Sequence, residues 1–399
     1  MSTSTVSTTF ACAVVAAVLL AGTARATPGS AANPNSTTKN EDYTFHYSWA
    51  SLGDDVKMPL ARSDASATAV RGKILLAGGC VGKQVKTDWG YGCDTITKTA
   101  TLFDPATNTF QDVQDMPRAR YRHTAAAVES KVFLLGGTDL SYPEPQFEYV
   151  DVFDSDTKTW STLSAVLTHA MSDPASFAIG TKIFFVGGYE TTEYNATDKV
   201  WSYDTAAGTF GWTAVADAPS SRGDSIGVTI QGKGYVFGGF THENKWEMPV
   251  GHLESYDIQK DKWTSLPSMK TMRGDKAGAA LHDRFHVIGG ETKDEKGNSV
   301  PIKDVEVFDP NDGTWQAEGD IPTERFRFMA ASVDDTIYIF GGQGMLQGEG
   351  ATSFYPVLDT VEAFTEQRIG ITNVDAASIC SVAAMVVALS ALVVGLLVL

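Results

Sequence analysis

The sequence predicts an all-β fold in which one unit of about fifty residues is repeated six times around a closed ring. The first observation is a short apolar strand that ends in two glycines. This strand occurs six times, with its first glycine at Gly78, Gly136, Gly187, Gly238, Gly289 and Gly341. After an opening interval of 58 residues, these glycines are 51 or 52 residues apart. Repeats of this kind bury their faces only against a neighbouring copy, so a ring of copies is favoured.

Two further features recur after each glycine pair. In five units the next strand ends in an aromatic residue and Asp, at Phe103-Asp104, Phe153-Asp154, Tyr203-Asp204, Tyr256-Asp257 and Phe308-Asp309. Six residues after each Asp comes a large aromatic: Phe110, Trp160, Phe210, Trp263 and Trp315. These rings are large enough to pack between neighbouring units.

The sixth unit is incomplete. It contains Phe364 but continues with Thr365, and it lacks the final aromatic strand. Residues 47–52 (YSWASL) have the pattern of that missing strand, yet no glycine pair precedes them. We therefore predict that residues 46–51 pair with residues near 360–365, which closes the ring and removes an exposed sheet edge.

The repeated pattern resembles the kelch repeat family, and the resemblance covers residues 43–365. Units of this family are four-stranded blades, so the resemblance implies a six-bladed kelch β-propeller whose sixth blade is closed by an N-terminal outer strand. We assign residues 43–366 to the propeller. Family members that recognise peptides often use arginines where the blades converge, which here implies Arg122 and Arg327.

Both ends of the chain differ from the repeats. Residues 1–26 contain a short apolar run and Ala24-Arg25-Ala26, which is typical of a cleaved signal peptide. A polar linker follows over residues 27–42, and residues 367–378 form a second linker. Residues 379–399 are apolar and uncharged, which predicts a membrane attachment through this tail. Because no basic residue follows it, we favour a GPI-anchor signal over a retained transmembrane helix.

These ends predict a protein of the secretory pathway, on the extracellular face of the plasma membrane. Cys12 and Cys380 fall in the terminal segments, so Cys80 and Cys93 are expected to form a disulfide. Asn35 and Asn195 begin N-glycosylation motifs. The formal charge of −17 excludes a nucleic-acid partner held through its phosphates.

A second regularity precedes each innermost strand. Counting back from the glycine pairs aligns an outer circle of five arginines: Arg62, Arg120, Arg222, Arg273 and Arg325. Two residues further on, an inner circle contains Asp64, Arg122, Asp173, Asp224, Asp275 and Arg327. Residues two apart in a strand point the same way, so both circles are expected near the central channel. They would form a structural salt-bridge ring, a ligand pocket or, through the four Asp, a Ca²⁺ site.

The leading functional hypothesis is a recognition module that binds a protein or glycan. Its binding face would consist of the loops after the second strand of each blade and before the first strand. Aromatic residues in these loops, Trp89, Tyr91, Tyr142, Tyr189, Trp246 and Tyr355, would supply contacts. The alternative is a carbohydrate-active enzyme, similar to sugar epimerases or mutarotases, that uses the Arg/Asp circles.

Other chemistries find no support in the residues. The seven histidines show no metal-ligand spacing, and the two expected disulfide cysteines leave none for a copper oxidase of this fold. We therefore predict no metal site and no cofactor. Arg222-Gly223-Asp224 and Arg273-Gly274-Asp275 spell a tripeptide that adhesion receptors recognise, but both copies sit at one repeat position. We interpret them as a consequence of the repeat.

Overall fold

The computed structural model describes residues 43–82, 84–87, 90–140, 147–190, 195–207, 211–241, 249–295, 298–348 and 353–370. The predicted signal peptide, the linker that contains Asn35 and the apolar segment 379–399 lie outside these residues. Among the residues described, no helix is long and apolar enough to cross a membrane. Tyr47–Glu366 form one compact unit.

The described strands are numbered β1 to β31 in chain order, and six four-stranded antiparallel sheets correspond to the six repeats. We call them blades one to six and give their strands from the innermost outward. Blade one contains β2 (Ser66–Val70), β3 (Lys73–Ala77), β6 (Ala100–Asp104) and β7 (Thr109–Asp112). Blade two contains β8 (Thr124–Val128), β9 (Lys131–Leu135), β10 (Asp151–Asp154) and β11 (Thr159–Thr162). Blade three contains β13 (Ala175–Ile179), β14 (Lys182–Val186), β17 (Val200–Asp204) and β18 (Thr213–Ala214).

The other three blades follow the same plan. Blade four contains β19 (Ile226–Ile230), β20 (Lys233–Phe237), β21 (Leu253–Asp257) and β22 (Lys262–Leu266). Blade five contains β23 (Ala277–Leu281), β24 (Arg284–Ile288), β27 (Val305–Asp309) and β28 (Thr314–Glu318). Blade six contains β29 (Met329–Val333), β30 (Thr336–Phe340), β31 (Val361–Gly370) and β1 (Tyr43–Ser51).

Short strands occupy three of the connections between the second and third strands of a blade. They are β4 (Gln84–Thr87) and β5 (Gly90–Cys93) in blade one, β15 (Tyr189–Glu190) and β16 (Asn195–Ala196) in blade three, and β25 (Glu291–Lys293) and β26 (Ser299–Pro301) in blade five. The remaining strand, β12 (Met171–Ser172), pairs with β15. These connections therefore carry local hairpins of their own.

The innermost strands close into a ring. Each of β2, β8, β13, β19, β23 and β29 contacts the next, and β29 returns to β2. The predicted closure of blade six is confirmed, because β1 lies beside β31 as the fourth strand of that sheet. The Leu52 amide donates to the Val361 carbonyl at 3.1 Å, and the Trp49 and Phe364 rings lie 5.0 Å apart.

The hydrophobic core lies between the faces of adjacent blades rather than at one centre. Leu76 and Phe103 of blade one pack with Phe340 of blade six, for example. The recurrent large aromatics bridge the same gaps. The Trp160 indole of blade two donates to the Gln114 carbonyl beyond β7 at 2.7 Å, and the Trp315 indole of blade five donates to the Pro267 carbonyl beyond β22. In blades two and five the recurrent tryptophan is thus hydrogen-bonded to the preceding blade.

Candidate functional site

Every innermost strand is preceded by one residue in the left-handed region of backbone conformation. These are the inner-circle residues, with φ between 46° and 56°: Asp64, Arg122, Asp173, Asp224, Asp275 and Arg327. Asp adopts this conformation more readily than other residues that have a Cβ, which accounts for four Asp at this position. At Arg122 and Arg327 the surrounding structure must offset the local strain.

The backbones of these residues are joined around the channel. In five blades, the amide of the inner-circle residue donates to the carbonyl of the inner-circle residue in the preceding blade, at 2.7–3.0 Å. The donors are Asp64, Arg122, Asp173, Asp224 and Arg327. Between blades four and five, the Lys276 ammonium donates to the Asp224 carbonyl at 2.7 Å. All six left-handed residues are therefore held by partners in a neighbouring blade.

The glycine pairs allow the blades to approach this closely. The Gly79 amide donates to the carbonyl of Arg120 in the next blade at 2.9 Å, and a Cβ on Gly78 would lie 2.6 Å from the same oxygen. Both glycines also have positive φ. Any side chain at Gly78 would therefore push blades one and two apart.

The five outer-circle arginines point into their own blades. Their side chains are 0–2 % exposed, and none of them lines the described channel cavity. Four of them donate through Nη1 to the carbonyl of the first glycine in the pair, at 2.9–3.1 Å: Arg62, Arg120, Arg273 and Arg325. Arg222 donates instead to the Val236 carbonyl at 3.2 Å. These arginines satisfy main-chain oxygens that the strand ends would otherwise leave unpaired.

Four outer-circle arginines also pair with a buried carboxylate on the third strand of the same blade. The pairs are Arg120 with Asp151 at 2.6 Å, Arg222 with Glu254 at 2.7 Å, Arg273 with Glu306 at 2.8 Å, and Arg325 with Glu362. Burial lowers the pKa of Arg120 to about 10, which leaves it charged at neutral pH. The contacts of the outer-circle arginines are therefore those of structural residues within the blades, not those of a ligand pocket.

The sequence contains a signal for these acids that the sequence analysis missed. Each acid lies two residues before the aromatic residue of the third strand, as Glu254 lies before Tyr256. Blade three, which has Met171 in place of the arginine, has Trp201 in place of the acid, and both pack in one apolar cluster. Blade one has Thr101 there, and Arg62 uses the Thr99 hydroxyl and carbonyl instead. The arginine and the acid are thus both replaced in blade three, whereas blade one keeps the arginine and replaces only the acid.

The inner-circle side chains, by contrast, are half-buried and line a cavity of about 220 Å³ in the channel. Arg122 pairs with Asp173 at 2.7 Å. Arg327 pairs with Asp275 at 2.9 Å and lies 3.7 Å from Asp64. The structure therefore brings together all six inner-circle candidates and separates them from the five outer arginines. Small residues of the innermost strands, such as Ala67, Ala125 and Gly227, also line the cavity.

Burial and mutual repulsion shift the acidity of these carboxyl groups. Burial raises the pKa of Asp173 to about 6, although Arg122 opposes the shift. Burial, followed by the charges of Asp173 and Asp275, raises the pKa of Asp224 well above its ordinary value. Burial acts in the same direction on Asp275, but the attraction and hydrogen bond of Arg327 outweigh it, so the pKa of Asp275 is lowered.

Two basic groups beside the inner circle lose part of their basicity. Burial lowers the pKa of Lys276 to about 7. Burial, with a smaller contribution from Arg120, lowers the pKa of His123 to about 3, so the ring is neutral at physiological pH. His123 Nε2 lies 3.0 Å from the Ser66 hydroxyl across the gap between blades one and two. Within the described ranges, no group of three or more His, Cys, Asp or Glu is placed to hold a metal ion.

The remaining predicted residues have mixed outcomes. Cys80 and Cys93 form the expected disulfide, with 5.8 Å between their Cα atoms. Asn195 is exposed on β16, and its glycosylation stays a prediction. Tyr189 and Tyr355 are buried and do not offer their rings to a ligand, contrary to expectation. Trp89, Tyr142 and Trp246, and the side chain of Tyr91, lie outside what the structure describes.

The two Arg-Gly-Asp segments are parts of the ring. Arg222 and Arg273 are buried in the pairs described above. A Cβ on Gly223 would lie 2.3 Å from the Tyr189 ring, and one on Gly274 would lie 2.0 Å from the Phe240 ring. Each of these two glycines packs against the aromatic residue that directly follows the glycine pair of the preceding blade, and a side chain there would clash with it. The repeated architecture therefore explains both tripeptides.

A ring of four-stranded antiparallel sheets whose innermost strands surround a channel defines the chain as a β-propeller. A family profile described as the KLHDC2/KLHL20/DRC7 Kelch-repeats domain matches residues 122–342, and the Kelch motif matches residues 61–117. The chain belongs to the kelch-repeat family.

Known proteins agree with this assignment. The chain is 26 % identical over 332 residues to Kelch-like protein terF of Aspergillus terreus, covering 79 % of this chain and 66 % of that protein. It is 25 % identical over 261 residues to Kelch domain-containing protein 3 of Rattus norvegicus, covering 61 % and 66 %. It is 25 % identical over 212 residues to Kelch-like protein 23 of Homo sapiens, covering 53 % and 36 %. The chain thus spans at most 66 % of the length of these relatives.

Among solved structures, the chain is similar to the structure of YjhT. The TM-score is 0.60 at 12 % identity, and the match covers 75 % of this chain and 95 % of the other. At this identity the likeness establishes the propeller fold alone.

The buried pairs yield a prediction about stability. Replacement of Arg222 by Met leaves the Glu254 carboxylate buried without its partner, which is expected to lower the free energy of unfolding by about 3–5 kcal/mol. The double variant Arg222→Met/Glu254→Leu imitates the apolar arrangement of blade three and is expected to recover much of this loss. Urea unfolding of both single variants and the double variant measures the coupling. Additive losses would contradict a buried pair that acts as a unit.

The acidity of Asp173 yields a prediction about pH. Because its pKa is raised from 3.8 to about 6 in the folded protein, the folded state binds the proton more tightly than the unfolded chain does. Its contribution to stability is therefore complete below pH 4 and is lost as the pH rises through about 6. Relative to Asp173→Asn, the wild-type protein should lose stability between these pH values, as measured by chemical unfolding. The variant Glu129→Gln, in an exposed turn, serves as the control; an equal slope in wild type and Asp173→Asn would contradict the assignment.

Proposed function

We propose that this kelch propeller is a recognition module that binds a protein through one face. This face, called here the channel-mouth face, consists of the connections from the second to the third strand within a blade and from the fourth strand to the next innermost strand. In an up-and-down sheet these connections lie on the same side, opposite the tight turns. Kelch-repeat proteins typically mediate protein–protein interaction, and membership of that family supports the proposal.

The observation that carries the proposal is the distribution of exposed apolar side chains. Six large apolar side chains are exposed in the described ranges: Leu140, Tyr149, Val166, Met272, Met345 and Leu346. Each of them lies in a connection of the channel-mouth face, and none lies in a turn of the opposite face. Exposed apolar side chains confined to one face are typical of a protein-binding surface.

The inner circle adds charge to the same face. Its side chains precede the innermost strands and line the channel cavity at the mouth of the ring. A partner that covers the surrounding apolar residues would therefore bring polar groups to the Arg/Asp circle. Aliphatic and thioether side chains at the rim favour a protein partner over a glycan, because they offer dispersion contacts rather than hydrogen bonds.

Substitutions on the two faces test this proposal. In Leu140→Asp/Met272→Asp/Met345→Asp, three apolar contacts of the channel-mouth face become charged, and partner capture is expected to fall at least about tenfold. Ala106→Asp/Ala207→Asp introduces the same side chain into exposed turns of the opposite face and should leave capture unchanged. Quantitative crosslinking mass spectrometry of proteins bound to each variant, with thermal unfolding as a folding control, makes the comparison. Equal losses for both variants would contradict a face-specific site.

We also propose that the protein is exported and lipid-anchored. The Cys80–Cys93 disulfide supports an oxidising compartment, and the apolar segments at residues 10–22 and 379–399 support export and membrane attachment. Glycans at Asn35 and Asn195 belong to the same proposal. The mature N-terminus is expected at Thr27 by mass spectrometry, and phosphatidylinositol-specific phospholipase C should release the protein from membranes. An intact Met1 would overturn export, and resistance to the phospholipase would favour a retained helix.

A further inference from the structure

The inner circle is not symmetrical in charge. In chain order around the ring it contains Asp64, Arg122, Asp173, Asp224, Asp275 and Arg327, so three consecutive blades contribute an Asp. The outer two of these three have guanidinium partners, since Asp173 pairs with Arg122 and Asp275 with Arg327. Asp224, between them, forms no ion pair with any described residue; its carboxyl group accepts from the Tyr189 hydroxyl at 2.8 Å and shares a hydrogen bond with the Asp275 carboxyl group. The ring therefore contains an acidic sector centred on Asp224.

An independent feature of the same sector is an unsatisfied hydroxyl. Ser225 lines the channel cavity, is only 7 % exposed, and its Oγ forms no hydrogen bond with any described residue. A buried hydroxyl without a partner carries a desolvation cost that a ligand donor can remove. Asp224, whose carboxyl group has no cationic partner among the described residues, and Ser225, whose hydroxyl has no hydrogen-bond partner there, are thus adjacent residues that line the cavity.

Lys276 lies beside Asp224, but its ammonium is bound to the main chain rather than to the carboxyl group. The Lys276 ammonium donates to the Asp224 main-chain carbonyl at 2.7 Å and lies 5.8 Å from the centre of the Phe237 ring. The charged or titratable groups around the Asp224 carboxyl are Asp173, Asp275, Arg122, Lys276 and Tyr189. Two of these five groups are carboxylates, and their charges shift the pKa of Asp224 more than the opposing charge of Arg122 does; the whole chain carries −17.

We infer that the acidic sector formed by Asp224 and Ser225 binds a primary ammonium group, the side chain of a lysine presented by the protein partner. An ammonium carries three donors and one compact charge, which suit a carboxylate and a hydroxyl in a cavity of about 220 Å³. A guanidinium would need a wider, planar set of acceptors. The inference rests on the proposed function, because it names the chemistry that a partner would insert at the channel mouth.

Binding of an ammonium also has a consequence for protons. Burial and the neighbouring carboxylates hold the pKa of Asp224 well above its ordinary value, so this carboxyl group holds a proton more tightly than an ordinary Asp does. A bound cation favours the ionised carboxylate and displaces this proton. Lysine binding is therefore expected to release a proton to the buffer.

Isothermal titration calorimetry of the full chain with Nα-acetyl-lysine amide tests the inference directly. Saturable binding is expected, with proton release visible as a difference in heat between two buffers of unequal ionisation enthalpy. Nα-acetyl-norleucine amide, which lacks the ammonium, should not bind. Asp224→Asn, which keeps an acceptor for Tyr189, should weaken lysine binding at least about tenfold and abolish proton release. Glu129→Gln makes the same chemical change on the opposite face and should leave both unchanged.

Three results would overturn the inference. These are the absence of saturable lysine binding, equal binding by Asp224→Asn, and an Asp224-dependent heat with CaCl₂ in place of the lysine probe, which would assign the sector to a metal. If partner capture still depends on the channel-mouth face while the lysine probe fails, the recognition function stands and the ammonium site alone is lost.

Discussion

The structure depends on one interaction, the hydrogen bonds that join the backbones of neighbouring blades around the channel. Six left-handed residues turn the chain into the innermost strands, and their amides and carbonyls connect one blade to the next. In five of the blades, as described, the amide of the second glycine of the pair donates to a main-chain carbonyl of the following blade. The bond from Gly79 to Arg120 is an example. These two bonded circles fix the distance between blades, and the cores between the sheets and the channel cavity follow from that distance.

The turn at each left-handed residue also separates the two circles of charged residues into different environments. Arg62 and Asp64 are two residues apart, but both precede β2, and the left-handed conformation at Asp64 changes the direction of the chain. The period-two rule for strands therefore does not apply to them. The arginine enters its own blade and neutralises main-chain oxygens at the strand end, while the aspartate faces the channel. The outer circle stabilises the blade, whereas the inner-circle side chains line the channel cavity.

The charged ring and the apolar rim are complementary parts of one surface. Met272 is exposed immediately before the buried Arg273, and Met345 follows the glycine pair of blade six at the same face. A partner can gain affinity from such apolar contacts, while groups at the centre of the ring select its chemistry. Because the pKa values of Asp173 and Asp224 are raised, we expect the proposed binding at the ring to depend on pH.

The sequence by itself determined the kelch repeat, the all-β ring, its closure by the N-terminal strand and the Cys80–Cys93 disulfide, because each depends on residue type at a fixed spacing. It also located both circles of charge by their register. Only the tertiary structure decided that Arg222 is buried against Glu254 whereas Asp224 faces the cavity, since this depends on one backbone angle. The burial of Tyr189 and Tyr355 was likewise decided by tertiary packing. The sequence could not predict it, because these loops have no repeated spacing from which burial can be inferred. The exposed apolar residues of the channel-mouth face are also scattered through such loops, so only the tertiary structure shows that they lie on one face.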